Sequence, residues 1–255
     1  VQLFHPFSLS MELGKSAKIF HGKKTLSGFD LVIPRLGWLT LNHGIRILEQ
    51  FEVMNVPSLN SATSIRQTCD KWLSLQILKK NKIPVLNSIM NHQSQDSEKS
   101  AHRFKKSVVK LIHGSQGFGV ARGNSLSENL ALVDILRSSS SEHFVQEYST
   151  VSQGQDLRVL VYKGEVLASM KRTPKSGEFR SNLHRGGSGS PHKLTSLEEK
   201  LALKAAKSLG LQFAGVDLIK SKEGLAVLEV NAFPGLEGIE KVSKLNLSMI
   251  IAKNL

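Results

Sequence analysis

Asp217, Glu229 and Asn231 stand on two apolar runs, Ala214 to Ile219 and Leu225 to Val230, separated by the turn-forming stretch Lys220 to Gly224. That pattern predicts a hairpin. With the turn centred on Lys222 and Glu223, Asp217 falls opposite Leu228 or Glu229, within about 5 Å between Cβ atoms if directly paired. Glu229 and Asn231, two residues apart, share one strand face. Two bare carboxylates that close would repel by roughly 3 kcal/mol at an effective dielectric of about 20, so the pair needs a counter-charge. Two carboxylates and an amide oxygen, with the other positions left to water or phosphate, form the donor set Mg²⁺ prefers. The alternative is that the two acids point to different sheet faces, or that a basic side chain such as Lys220 or Lys241 meets them.

A second constellation is Val108-Val-Lys110-Leu-Ile-His-Gly114-Ser-Gln-Gly117-Phe-Gly119. Lys110 sits mid-strand among apolar neighbours, where a buried ammonium is expensive unless it meets an anion. The glycines behind it let backbone N–H groups crowd a phosphate. The run fits neither the P-loop nor the Rossmann fingerprint, and a plain turn beside a snorkelling lysine accounts for it as well. The third constellation is Gln155-Asp156-Leu-Arg158 with the stretch from Lys171 to Gly187, which holds Arg172, Lys175, Glu178, Arg180, Asn182 and Arg185. Planar guanidiniums beside flexible glycines suit a bidentate grip on carboxylates or phosphates; a disordered basic loop is the competing reading. His184 alone in such a loop carries no assignment.

The elements that must position these residues are interleaved strands and helices, which predicts α/β or α+β layers. Short strands are expected at Lys18 to Thr25 and Phe29 to Pro34 around Ser27-Gly28, and a helix from Leu41 to Met54, ending before Val56-Pro57. Ser61 to Gln67 and Asp70 to Asn81 read as a broken helix with Asp70 as N-cap. Asn87 to Ser107 is polar, a surface segment with a helix near Glu98 to Lys106. Strands follow at Val108 to Ile112 and Phe144 to Tyr148, with a helix around Leu126 to Leu136 between them. Leu157 to Tyr162 and Val166 to Met170 flank Lys163-Gly164 as another hairpin. Thr195-Ser-Leu-Glu198 is a capping box for a helix that stops at Gly210, and a last helix is expected from Asn246 to Leu255.

The 255 residues are 40% hydrophobic and 22% charged, enough for a packed core and against wholesale disorder. No apolar run approaches the roughly 18 residues of a membrane span. The single Cys69 makes no internal disulfide and no thiolate zinc site, which fits a reducing compartment, the cytoplasm by default. Thirty-four Lys and Arg stand against 21 Asp and Glu, a net +13 that points to an acidic partner. The basic residues are scattered, so a solvated basic surface accounts for many of them. The chain opens at Val1 without a signal pattern, and a piece is expected upstream.

Asp70-Lys71, Val109-Lys110, Gly114-Ser-Gln-Gly-Phe-Gly119, Gln146-Glu-Tyr148, Gln155-Asp-Leu-Arg158, Phe179-Arg-Ser-Asn-Leu-His-Arg-Gly-Gly187, Ala214-Gly-Val-Asp217 and Leu228-Glu-Val-Asn231-Ala-Phe-Pro-Gly-Leu-Glu-Gly-Ile-Glu240 together resemble the RimK-type ATP-grasp ligases. The resemblance runs from about Gly28 to the end. It implies an ATP-grasp fold of class α/β (α+β), two lobes sandwiching ATP, behind a partial pre-ATP-grasp, Rossmann-like domain. The implied division is 1–68 for the truncated front domain and 69–255 for the ATP-grasp domain, with a small lobe of about 69–147 and a large lobe of about 148–255. The resemblance makes Lys71 and Lys110 phosphate contacts, under a loop of Gly114, Ser115, Gln116, Gly117 and Gly119. Glu147 and Tyr148 become the adenine and ribose hinge, with Asp156 on the nucleotide side. Arg180, Ser181 and Asn182 reach the phosphates and the incoming carboxylate, Arg180, Asn182 and Lys110 being the catalytic set. Asp217, Glu229 and Asn231 match the metal ligands, for Mg²⁺ or Mn²⁺ and two ions.

The activity so implied is ATP-dependent ligation through an acyl phosphate, adding L-glutamate to the C-terminus of a small-subunit ribosomal protein or a peptide. A substrate carboxylate attacks the γ-phosphate, ADP leaves, and an amine then displaces phosphate to form the amide. The partners implied are ATP, glutamate and an acidic or C-terminal acceptor, with no membrane; assembly into a homo-oligomer is left open. A related ligase acting on a small molecule or coenzyme is the second reading, and a basic RNA- or ribosome-binding module with a dead nucleotide site the third. Aromatic residues, 6% and unclustered, offer no RNA-stacking platform, and a dead site has no need of both lysines and three metal oxygens.

Overall fold

The computed structural model describes residues 1–90, 103–104, 106–114, 118–138 and 141–255. In chain order the strands and helices are β1 (Leu9–Leu13), β2 (Ala17–His21), β3 (Lys24–Leu26), α1 (Leu41–Val53), α2 (Ala62–Cys69), α3 (Lys71–Lys80) and β4 (Ser88–Ile89). Then come β5 (Ser107–Leu111), β6 (Val120–Gly123), α4 (Leu126–Ser138), β7 (His143–Glu147), β8 (Asp156–Tyr162), β9 (Glu165–Thr173) and β10 (Ser188–Pro191). The chain closes with α5 (Ser196–Ser208), β11 (Phe213–Ser221), β12 (Gly224–Asn231), α6 (Glu237–Ser243) and α7 (Leu247–Lys253). Three antiparallel sheets result, ordered β1-β2-β3, β4-β7-β5-β6 and β10-β9-β8-β11-β12.

The front of the chain departs from expectation. Lys18 to Thr25 divides into β2 and β3 at a tight turn through Gly22, whose φ of +60° is a conformation that side-chain-bearing residues rarely adopt. Phe29 to Pro34 forms no strand, only an isolated bridge from Val32 to Ser58. The expected helix near Glu98 to Lys106 lies mostly outside the described residues. Two helices begin as anticipated: Asp70 accepts the Leu73 N–H at 2.8 Å, and the Thr195 box closes through Glu198. The terminal helix is shorter than expected, running from Leu247 behind an Asn246 cap.

The main core joins α1, α2, α3 and α5 to the five-stranded sheet. Ile45 and Leu48 of α1, Ile65 of α2 and Leu78 of α3 pack with Val159, Ala205, Val216 and Val227. A second cluster on the other side of that sheet gathers Leu160, Tyr162, Met170, Phe213, Ile239 and Leu247. Asn60, between α1 and α2, knits the front to the sheet with its buried side chain. Its Nδ2 donates to the carbonyls of Phe213 and Ala232 at 2.8 and 3.1 Å, and its Oδ1 accepts the Gln212 and Phe213 N–H groups at 3.0 Å each. Among the described residues no helix is long and apolar enough to cross a membrane.

Candidate functional site

The hairpin that carries the acids forms as β11 and β12, with Asp217 directly opposite Glu229 and Gly215 opposite Asn231. All three oxygen-bearing side chains therefore share one face. Beyond this point the register slips, since Leu218 pairs with Val227 and leaves Leu228 extra. Such a bulge re-aims neighbouring side chains, and it explains why counting from the turn left two candidate partners for Asp217.

The counter-charge for Asp217 comes from neither Lys220 nor Lys241. Arg158, its register partner on β8, donates Nε and Nη2 to the carboxylate at 2.5 and 2.9 Å, and Arg172 of β9 adds Nη2 at 2.8 Å. Burial opposes the charge on Asp217, but the two guanidiniums outweigh it and hold the carboxyl below its usual range. Arg172 also forks onto Asp156 at 2.6 and 2.8 Å, and Ser181 donates its hydroxyl to the same carboxylate. Arg172, Asp156 and Asp217 are all nearly out of solvent, so this is a buried ionic network rather than a solvated loop. Gly215 makes room for it. A Cβ there would lie 2.6 Å from Arg158 Nη1 and 2.9 Å from Pro234.

Lys110 projects from β5 and is 7% exposed, its Nζ donating to Gln146 Oε1 at 2.6 Å. Gln146 Nε2 in turn donates to Ser88 Oγ at 2.9 Å. Burial pushes the Lys110 pKa down to about 8, against the pull of Glu229 and with a push from Lys71. Lys71 is placed by the start of α3, whose backbone N–H is tied to the Ile112 carbonyl at 3.3 Å at the end of β5. Its Nζ reaches the Gly114 carbonyl at 2.5 Å. Lys71, Lys110, Phe144, Leu228 and Glu229 line one small cavity between α3 and the two sheets. The two lysines thus meet Glu229, which lies 119 or more residues further along the chain.

Arg180 forks onto Glu178 at 3.1 and 2.7 Å and donates Nη1 to the Val120 carbonyl at 3.1 Å. The Arg180 hydrogen bond is the chief cause that holds the Glu178 carboxyl down at about 2. Asn182 accepts the Arg185 N–H on its carbonyl at 3.0 Å, and its side-chain amide has no partner among the described residues. Glu147 ends β7 and accepts from Asn87 at 3.0 Å, while Tyr148 donates its N–H to the Lys106 carbonyl at 3.1 Å. Ser115, Gln116 and Gly117 lie outside the described residues. Gly119 closes the turn into β6 with φ +70°, and its carbonyl accepts from Leu111 at 2.8 Å. Asp156, expected on the nucleotide side, accepts from both Arg172 and Ser181, and the Ser181 hydroxyl bonds Asp156. The sequence alone singles out no role for Gln146, Arg122 or Gly215 individually, although burial of a polar residue on an apolar strand is the signal for Gln146.

The oxygen donors suit a hard divalent cation. A carboxylate offers about four acceptor positions; the arginines use three on Asp217 and leave one on Oδ1. Glu229 has no hydrogen-bond partner among the described residues, and Asn231 spends only its Nδ2, on the Gly215 carbonyl at 3.4 Å. Zinc would want His or Cys, and no group of three or more His, Cys, Asp or Glu is gathered among the described residues.

Residues 68–255 match the family described as the RimK-like ATP-grasp domain, and residues 1–65 match the RimK PreATP-grasp domain. The chain is 39% identical over 251 residues to a probable alpha-L-glutamate ligase of Thioalkalivibrio sulfidiphilus, covering 97% of this chain and 83% of the relative. It is 37% identical over 251 residues to the ribosomal protein bS6--L-glutamate ligase of Escherichia coli O1:K1 / APEC, covering 97% and 84%. Among solved structures, the ATP-grasp ligase PsnB complexed with minimal precursor, Mg and ADP superposes with a TM-score of 0.71 at 16% identity, over 98% of this chain and 85% of that one. The fold is the ATP-grasp fold, and the chain belongs to the RimK-like ATP-grasp family.

Proposed function

We propose that this protein is an ATP-dependent carboxylate-amine ligase that adds L-glutamate to the C-terminus of a protein or peptide, a ribosomal protein being the acceptor class. The observation that carries this reading is the meeting of Lys71, Lys110 and Glu229 at one cavity, with Asp217 paired to Glu229 across the hairpin. Lys71 and Lys110 bind the phosphates of ATP, and Lys110 is held in place for this by Gln146. Glu147 and Tyr148 flank the adenine side at the junction of the lobes, and the division at residues 1–68, 69–147 and 148–255 puts that junction between two sheets. Asp217, Glu229 and Asn231 would hold Mg²⁺ or Mn²⁺, as two ions in the full complex. Bound there, the metal neutralises charge on the transferring phosphoryl group.

The acceptor's terminal carboxylate attacks the γ-phosphorus, the bond to the β,γ-bridging oxygen breaks, and ADP leaves. The glutamate amine then attacks the acyl carbon, inorganic phosphate departs, and the amine gives up a proton as the amide forms. Arg180 and Asn182 orient the carboxylate for the first step. Such transfer is mostly positioning and charge neutralisation, so no covalent enzyme nucleophile is needed. The relatives' names, glutamate ligase and ribosomal protein bS6 glutamate ligase, support the choice of amino acid and acceptor.

The test is incubation with ATP, Mg²⁺, labelled glutamate and ribosomal proteins, read by mass spectrometry. Increments of one glutamyl residue at an acceptor C-terminus, with matching ADP release, are expected. ADP release with free small acids but with no protein acceptor would replace this reading by the small-molecule ligase.

A further inference from the structure

Among the described residues strand β6 is an edge of its sheet, and one segment of the large lobe is fastened at every second residue along β6 and the turn leading into it. The Arg185 guanidinium lies 5.0 Å from the centre of the Phe118 ring, Arg180 donates Nη1 to the outward carbonyl of Val120 at 3.1 Å, and Arg122 lies 5.2 Å from the Phe179 ring. Arg122 is also 5.2 Å from the Tyr148 ring, so its guanidinium stands between two aromatic faces, and those rings are edge to face at 6.5 Å. Arg180 sits 5.1 Å from Phe179 as well. A guanidinium over an aromatic face is attracted to it, the more so when partly desolvated, and Arg122 is half-buried.

We propose that Arg122 is a positioning residue. It clamps Phe179 against Tyr148 and so holds the segment from Phe179 to Arg185 on β6, which puts Arg180 and Asn182 in place only when the strand leaving the glycine-rich turn is docked. This rests on the ligase reading for its kinetic arm and on geometry alone for its structural arm. The clamp makes the two lobes deliver their groups together: the small lobe brings Lys110 on β5, the neighbour of β6, and the large lobe brings Arg180. Arg122 touches no reacting atom in this scheme and acts through Phe179.

The experiment compares the parent with Arg122→Ala, Arg122→Lys and Phe179→Leu. Steady-state ligation is measured where turnover exists, and trypsin cleavage after Lys175, Arg180 and Arg185 is timed in the presence and absence of ADP with Mg²⁺. For Arg122→Ala and Phe179→Leu, kcat is expected to fall about tenfold while KM for ATP stays within about twofold, and cleavage to speed up by a similar factor. Arg122→Lys should recover part of both, because an ammonium keeps the attraction but loses the planar stack. The double variant Arg122→Ala with Phe179→Leu should lose less than the product of the two single fold-changes, the mark of a shared contact. Unchanged kcat and unchanged cleavage in Arg122→Ala would overturn the clamp, and so would a raised KM for ATP with kcat intact, which would make Arg122 a nucleotide contact. A parent without turnover refutes the ligase reading instead, and the cleavage comparison still decides on the clamp. Should Arg122→Ala fail to fold, Arg122→Lys and Phe179→Leu carry both readouts.

Discussion

Lys110 is a charge kept where charge is costly, and that gives its site a pH limit. Because burial lowers its pKa to about 8, the ammonium is lost from the free protein as pH climbs through that value. The ratio kcat/KM for ATP should therefore fall on the alkaline side of about pH 8, and Lys110→Arg, which stays charged, should remove that limb even if it slows turnover. Stability moves the other way. The charged lysine burdens the fold fully below about 8, and the burden lifts as pH rises from there toward the ordinary lysine value of 10.5. Asp156 is a different case: its carboxylate is spent on Arg172 and Ser181, so Asp156→Asn should cost about 3 kcal/mol in a denaturant titration, with a fall in activity that follows from the loosened network. A stability equal to the parent's would instead make Asp156 a group reserved for a ligand. The chemistry of single residues was partly legible in advance. A lysine amid valines announces its own burial, and two acids facing each other announce a missing cation. That two arginines from neighbouring strands fill that need was not readable, because Arg158 and Arg172 meet Asp217 only through the order β9-β8-β11.

At the scale of elements, the hairpin of β11 and β12 carries the design. The bulge at Leu228 turns Glu229 to the face of Asp217, and Gly215 leaves a gap over which Arg158 lies. Gly215→Ala should push Arg158 off its carboxylate; because the clash is with both a flexible side chain and Pro234, we expect a stability loss of about 1–2 kcal/mol and a larger relative loss of ligation. Calorimetry and rate measurement on the same sample check both, and a rate that tracks stability alone would count against the placement. Hairpins and capped helices were visible in the sequence because their signals are local: Lys163-Gly164, the Asp70 cap and the Thr195 box each act within a turn. β6 and β10 were not, since Val120-Ala-Arg-Gly123 and Ser188-Gly-Ser-Pro191 have little apolar content and owe their conformation to the strands beside them. The short α6 is illegible for another reason: no side-chain cap marks its start.

Over the whole molecule, the excess of 13 positive charges should assist encounter with an acidic acceptor. Raising ionic strength should lower kcat/KM for a protein acceptor while leaving kcat for a saturating one little changed; a flat dependence would show that the scattered lysines and arginines are only a solvated surface. The fold class and the order of motifs were legible, but not that helices of the front share one core with the large sheet. That sharing gathers residues as distant in sequence as Ile45 and Ala232 into one buried cluster. Asn60 makes the point concrete. Four bonds from one carboxamide grip the neighbouring chain ends of β11 and β12, so trimming the front back past this residue would strand two peptide donors and two acceptors in a dry interior. The opening stretch is thus no detachable accessory: it behaves as a keystone for the hairpin that bears the acids, and shortened versions should be insoluble before they are inactive.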